Sequence, residues 1–98
     1  MAKYLVLWEL DRTKIPADPK ERAAGWNALM TLVKQNMKDG VTKDWGMFVG
    51  EGRGYAVGEG SEVEIGIHLQ KFVPFVSFTT HPIASVNQVD EVIAALTK

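Results

Sequence analysis

The chain contains no cysteine, which removes disulfide staples, thiolate metal ligands and thiol nucleophiles from consideration. It also lacks a charge excess: 11 Lys and Arg stand against 12 Asp and Glu, for a net charge near −1. Proteins that neutralise nucleic-acid phosphates usually show a basic excess or stripe, so the composition argues against a nucleic-acid partner. No apolar run approaches the roughly 20 residues of a membrane span. The opening Met1–Leu10 is too briefly apolar for a secretory signal, with charge returning at once. A cytoplasmic protein without membrane association is therefore expected. Two histidines without carboxylates at ligand spacing give no metal site, and no cofactor is implied.

At 98 residues, without low-complexity tracts, repeats or linkers, the chain forms one domain, 1–98, large enough for a single core. Residues 3–10 alternate as two apolar sets: Tyr4, Val6, Trp8 and Leu10 on one face, Leu5 and Leu7 with Glu9 on the other. A strand apolar on both faces is normally covered on both. Asp18, Pro19 and Glu21 mark a helix start. Trp26, Leu29, Met30, Val33 and Met37 recur at helical spacing up to Gly40. Residues 42–49 read as a second strand, with Trp45, Met47 and Val49 on one side.

Five of the nine glycines fall between Gly50 and Gly60. A phosphate loop is excluded there: no Gly-Lys-Ser/Thr ending follows, and Val57 stands where a dinucleotide fingerprint needs glycine. Arg53-Gly54-Tyr55-Ala56 matches the opening of the RNA-recognition signature, but Val57 replaces the base-stacking aromatic. The remaining reading is a hairpin turn leading into a strand at 53–59. Its Gly54, Ala56 and Gly58 leave one face bare for a helix, with Trp26 as filler, while Tyr55 and Val57 point the other way. Ser61 and Glu64 match a capping box ahead of Ile65, Leu69 and Phe72, although Val63 to Leu69 also alternates like a strand. The helix is preferred. Phe75–His81 reads as a fourth strand ended by Pro82, and Ser85 opens a last helix striped with Val89, Val92, Ile93 and Leu96.

The order β-α-β-β-α-β plus a terminal helix predicts an α+β, ferredoxin-like fold with a four-stranded antiparallel sheet of order 4-1-3-2. Two helices cover one face of such a sheet. The other is expected to present Tyr4, Val6, Trp8, Trp45, Met47, Tyr55 and Val57, a patch large enough to call for a homodimer partner. Tyr4–Trp8, Gly52–Glu59 and Phe75–Ile83 together resemble the dimeric α+β barrel superfamily, in particular its short bacterial and archaeal domains of unknown function. The resemblance implies two sheets facing each other across a dimer and a pocket in each half. It does not imply a reaction, since members include cofactor-independent monooxygenases, haem-degrading enzymes and isomerases. Thr79 stands where relatives often carry an acidic residue. The Asn-Trp-His set of the haem-degrading and monooxygenase branches is not matched, because no asparagine lies in a strand.

The expected function is a homodimer, joined through the open sheet face, that binds a small, largely apolar molecule between sheet and helices. Its site candidates are Tyr4, Trp8, Trp45, Tyr55, Ser77, Thr79 and His81, an aromatic-lined pocket with a polar end. His81 is the candidate general base for cofactor-independent, monooxygenase- or isomerase-like chemistry. His68 lies off the apolar stripe of its helix and reads as a surface residue. The alternatives are a non-catalytic structural or interaction homodimer, and an RNA-binding domain of the same topology.

Overall fold

The fold, taken from a computed structural model that describes residues 2–98, follows the expected element order. It runs β1 (Lys3–Leu10), a 3-10 turn (Arg12–Lys14), α1 (Pro19–Lys38), β2 (Thr42–Met47), β3 (Arg53–Glu59), α2 (Glu62–Gln70), β4 (Val76–Ile83) and α3 (Val86–Leu96). The sheet order is β2-β3-β1-β4, the expected 4-1-3-2 read from the other edge, and every neighbouring pair is antiparallel.

Local signals explain where the helices begin. The Asp18 carboxylate accepts the Glu21 N–H at 3.3 Å, and Pro19 opens α1. At α2, Ser61 Oγ accepts the Glu64 N–H while Glu64 Oε1 accepts the Ser61 N–H, both at 3.1 Å. This reciprocal box resolves the helix-or-strand ambiguity of residues 62–70 toward helix. The Ser61 N–H and hydroxyl hold the Glu64 carboxyl below its ordinary pKa, so the cap is present above the carboxylate range and is lost as pH falls through it. Ser85 and Gln88 repeat the box at α3. At the far end of α1, Val41 N–H donates to Asn36 O and Gly40 N–H to Met37 O, each at 3.1 Å, which closes the helix in a Schellman-type turn.

Two strand boundaries differ from expectation. β2 ends at Met47 rather than residue 49, because Glu51 N–H donates back to Phe48 O at 3.0 Å and closes a turn. Gly50 and Gly52 occupy that hairpin at φ of 79° and 58°, which a residue with a Cβ adopts only at a cost. Val49 is left 95 % exposed. β4 runs through Pro82 to Ile83. As an edge strand it pairs only with β1, and proline is tolerated where the missing N–H has no ladder partner to lose.

The largest correction concerns the two faces of the sheet. Trp8 lies in the core with Val33, Phe72 and Val76, packed by Leu10, Trp26, Leu29 and Trp45. The Tyr4, Val6, Trp8 set of β1 therefore faces the helices, not the open side. In register it meets the small residues of β3: Trp8 opposite Gly54, Val6 opposite Ala56, Tyr4 opposite Gly58. A Cβ on Gly54 would collide with the Gly46 carbonyl oxygen of β2 and lie 2.7 Å from the Trp8 ring, and one on Gly58 would lie 2.8 Å from Ile65 of α2. The bare side of β3 thus receives a helix residue as expected, but its main filler is Trp8, with Trp26 edge-on to that ring at 6.3 Å. The open face carries Leu5, Leu7, Tyr55, Val57 and the alternate residues of β4.

Gly54→Ala is expected to lower the unfolding free energy by about 1–3 kcal/mol through overpacking. Gly66→Ala, at an exposed position of α2 with open space around it, is expected to raise it by about 0.5–1 kcal/mol through helix propensity. Urea unfolding of both variants checks the pair, and a Gly54→Ala protein as stable as its parent would contradict the packing described.

Candidate functional site

Trp8 is held by more than burial. Its indole N–H donates to Gly46 O at 3.2 Å and to Tyr55 O at 3.3 Å. Its ring stacks on Trp45 with centroids 5.3 Å apart and an interplanar angle of 7°. The two rings form one wall of a cavity of about 50 Å³ between the sheet and the helices, with Trp26, Leu29, Val33 and Phe72 on the helix side. That space is several times the minimum for one water molecule and far below an ordinary ligand pocket. The Asn36 side chain, 3 % exposed, is the buried polar group at its wall, and its Oδ1 accepts from Lys71 Nζ at 3.3 Å.

Behind Trp26 and Leu29 lies a second, larger space of about 330 Å³, open at the surface. It is an apolar groove floored by Leu10, Trp26, Leu29, Leu32 and Phe75 and walled by Ile15 and Pro16. Leu10, Trp26 and Leu29 line both spaces, so these side chains form the partition between them. The groove exists because the chain leaves β1 through the 3-10 turn. Asp11 N–H donates to Phe75 O at 2.9 Å, and Asp11 Oδ1 caps the turn by accepting the Thr13 hydroxyl at 2.6 Å and the Thr13 N–H at 3.0 Å. Those two bonds, the hydroxyl first, hold the Asp11 carboxyl below its ordinary pKa. Lys14, Arg22 and Lys71 surround the groove. Arg22 Nη1 is committed to Pro16 O and Ala17 O, and Lys14 lies 3.9 Å from Asp11.

The residues expected to form one site are divided by the sheet. Tyr4, Trp8 and Trp45 share the helix-facing side, whereas Tyr55, Ser77, Thr79 and His81 share the open side. On that side Ser77 and His81 are four strand residues apart, roughly 13 Å. Tyr55 and Thr79 flank Leu7 from opposite neighbours, about 10 Å apart. Neither space described above is lined by any of the four. Ser77 Oγ donates to Glu9 O at 3.4 Å, and His81 is exposed opposite Leu5. The expected aromatic pocket with His81 at its polar end is therefore not assembled within the chain. His68, half-buried rather than fully solvated, places Nδ1 2.8 Å from Glu64 O, as an N–H donor to the preceding turn.

Tyr55 is the most constrained of the open-face candidates. Its ring lies flat over Gly46, where a Cβ would collide with it, and stacks against Phe48 with centroids 6.5 Å apart. Its hydroxyl donates to Asp44 Oδ2 at 2.8 Å, and that bond to a carboxylate raises the phenol's pKa above its ordinary value. Among the described residues, no three His, Asp or Glu side chains cluster in a way that could hold a metal ion. Asn36 and the groove were not foreseen. Asn36 sits on the apolar stripe of α1, three residues after Val33, and a polar residue on such a stripe is the one signal the sequence offered. In comparison with known proteins, the chain matches no family model and no curated protein.

The Tyr55–Asp44 bond favours the protonated phenol. Its contribution is fully present below the ordinary tyrosine pKa and is lost as pH rises through the raised folded value. Asp44→Asn is expected to move the Tyr55 transition toward lower pH in a phenolate-absorbance titration. An unchanged titration would mean that the bond is not formed in solution.

Proposed function

We propose that the chain acts as a homodimer that binds a small, largely apolar molecule in the groove beside α1, without catalysing a reaction on it. The observation that carries this reading is the apolar groove of about 330 Å³ beside α1, within the roughly 300–1,000 Å³ range of small-molecule pockets. The inner cavity, partitioned off by Leu10, Trp26 and Leu29, is too small for such a molecule. Binding is favoured over catalysis because Tyr55, Ser77, Thr79 and His81 face away from both spaces, and a general base must come within hydrogen-bond reach of its proton. The homodimer is supported by the open face, where Leu5, Leu7, Tyr55 and Val57 adjoin across β1 and β3. The resemblance to dimeric α+β barrels points the same way. A purely structural homodimer is the second reading, favoured by the small inner cavity. RNA binding is disfavoured by Tyr55, whose ring is already stacked and whose hydroxyl is tied to a carboxylate.

Light scattering on the intact chain is expected to give the mass of a dimer. The apolar fluorophore 1-anilinonaphthalene-8-sulfonate is expected to bind saturably. Ala28→Trp, at an exposed groove position of α1, should weaken it at least tenfold, the effect of about 1.4 kcal/mol. His81→Ala should leave it unchanged. Binding that is indifferent to Ala28→Trp would remove the groove as the site, and loss of binding with His81→Ala would return the open face to consideration.

A further inference from the structure

We infer that α3 is an exchanged arm: the α3 helix of a second copy of this chain lies across the mouth of the groove and closes it. Every residue of α3 is exposed. Val86 and Leu96 are 80 % and 79 % exposed, and Val92 and Ile93 are more than half exposed. The molecule measures 61 × 25 × 19 Å, too long for a packed domain of this size, whose radius of gyration would be about 13 Å rather than 16.3 Å. Yet α3 is a well-made helix, with a complete capping box and Val86, Val89, Val92, Ile93 and Leu96 along one stripe. An amphipathic helix gains most of its stability from packing that stripe. Among the described residues, its own domain leaves that stripe exposed along its whole length.

Geometry and charge identify the receiver. α3 leaves the sheet at the Ile83 end of β4, which pairs with Lys3 at the start of β1. The groove opens at Leu10, Asp11 and Phe75, the opposite end of the same strands. Eight residues of β1 separate the two ends by roughly 25 Å, and only Ala84 and Ser85 link β4 to α3. The arm therefore does not reach the groove of its own chain. A two-fold partner running antiparallel beside it places each arm at the other's groove, an isologous exchange that closes on itself. The charges are complementary. Between Val86 and Leu96 the only ionisable groups are Asp90 and Glu91, with Asp90 bordering the apolar stripe, whereas the groove is surrounded by Lys14, Arg22 and Lys71 against a single Asp11. The partner's arm thereby supplies the missing wall of the binding space. That lid role rests on the ligand reading above, while the docking does not.

The absence of native cysteine makes a disulfide test clean. Ile15→Cys in the groove wall and Ile93→Cys on the arm both replace exposed side chains, and circular dichroism verifies that each variant folds. The two variants are mixed, allowed to exchange subunits and oxidised. The expected product is a covalent dimer linked 15–93, identified by peptide mass spectrometry and exceeding by at least tenfold the cross-link of Ile93→Cys with a hairpin control, Val49→Cys. A disulfide requires Cα atoms about 4.4–6.8 Å apart, so the product reports direct docking. Equal yields with the control, or a chain that is monomeric by light scattering, overturn the inference. A 15–93 dimer that binds no fluorophore supports the docking and removes the ligand reading. A monomer that binds the fluorophore removes both the docking and the homodimer and leaves only the ligand reading of the groove.

Discussion

The seat of Trp8 over Gly54 is the constraint on which the rest of the structure depends. The indole ring on β1 lies over the glycine opposite it on β3 and reaches across to β2, where its N–H meets the Gly46 carbonyl as well as that of Tyr55. One side chain thereby ties three strands together. Its ring then supports Trp45 by stacking and Trp26 by an edge contact, and Trp26 in turn divides the inner cavity from the outer groove. Pairs of this kind each contribute about 0.5–1.5 kcal/mol beyond simple burial, and the indole hydrogen bond adds an amount of similar size. Filling the space over Gly54 disturbs the strand pairing, the aromatic cluster and the partition of the pocket together.

The sequence was most legible where a local rule decides the structure. Asp18, Ser61 and Ser85 begin helices because a side-chain oxygen at those positions satisfies an N–H that the helix cannot. The β3 boundaries follow from the glycines before and after it. The facing of β1 was harder to read, because Tyr4, Val6 and Trp8 alternate with Leu5 and Leu7, and period-two alternation does not say which set meets the helices. Strand register decides it: bulky Tyr4 and Trp8 lie opposite Gly58 and Gly54, a size complementarity visible only when β1 and β3 are read as a pair. The ends of β2 and β4 depended on a turn bond at Phe48 and on the edge position of Pro82, neither of which is a property of the strand's own residues.

The candidate site was legible in part for the same reason. Trp8 and Trp45 line a small space between sheet and helices, on the side opposite the open face expected for them. The polar residues grouped with them lie on the other surface of the sheet, and a β-sheet separates its two faces completely. The groove has no local signature because residues distant in the chain build it: Leu10 at a strand end, Ile15 and Pro16 in an irregular segment, Leu32 on a helix and Phe75 in a turn. The exposure of α3 was equally hidden, since its stripe looks the same whether it packs on its own sheet or on another molecule.

One aromatic unit both holds the sheet and, through Trp26, lines the groove proposed to bind a ligand. Trp8 is the anchored member of that unit, and Trp26 and Trp45, both half-buried, depend on it. The most direct test is hydrogen exchange at the three indole N–H groups, followed by NMR on the intact protein. The indole proton of Trp8 should exchange slowest of the three, at a rate set by unfolding of the whole sheet. A Trp8 proton that exchanges as fast as those of Trp26 and Trp45 would contradict the account.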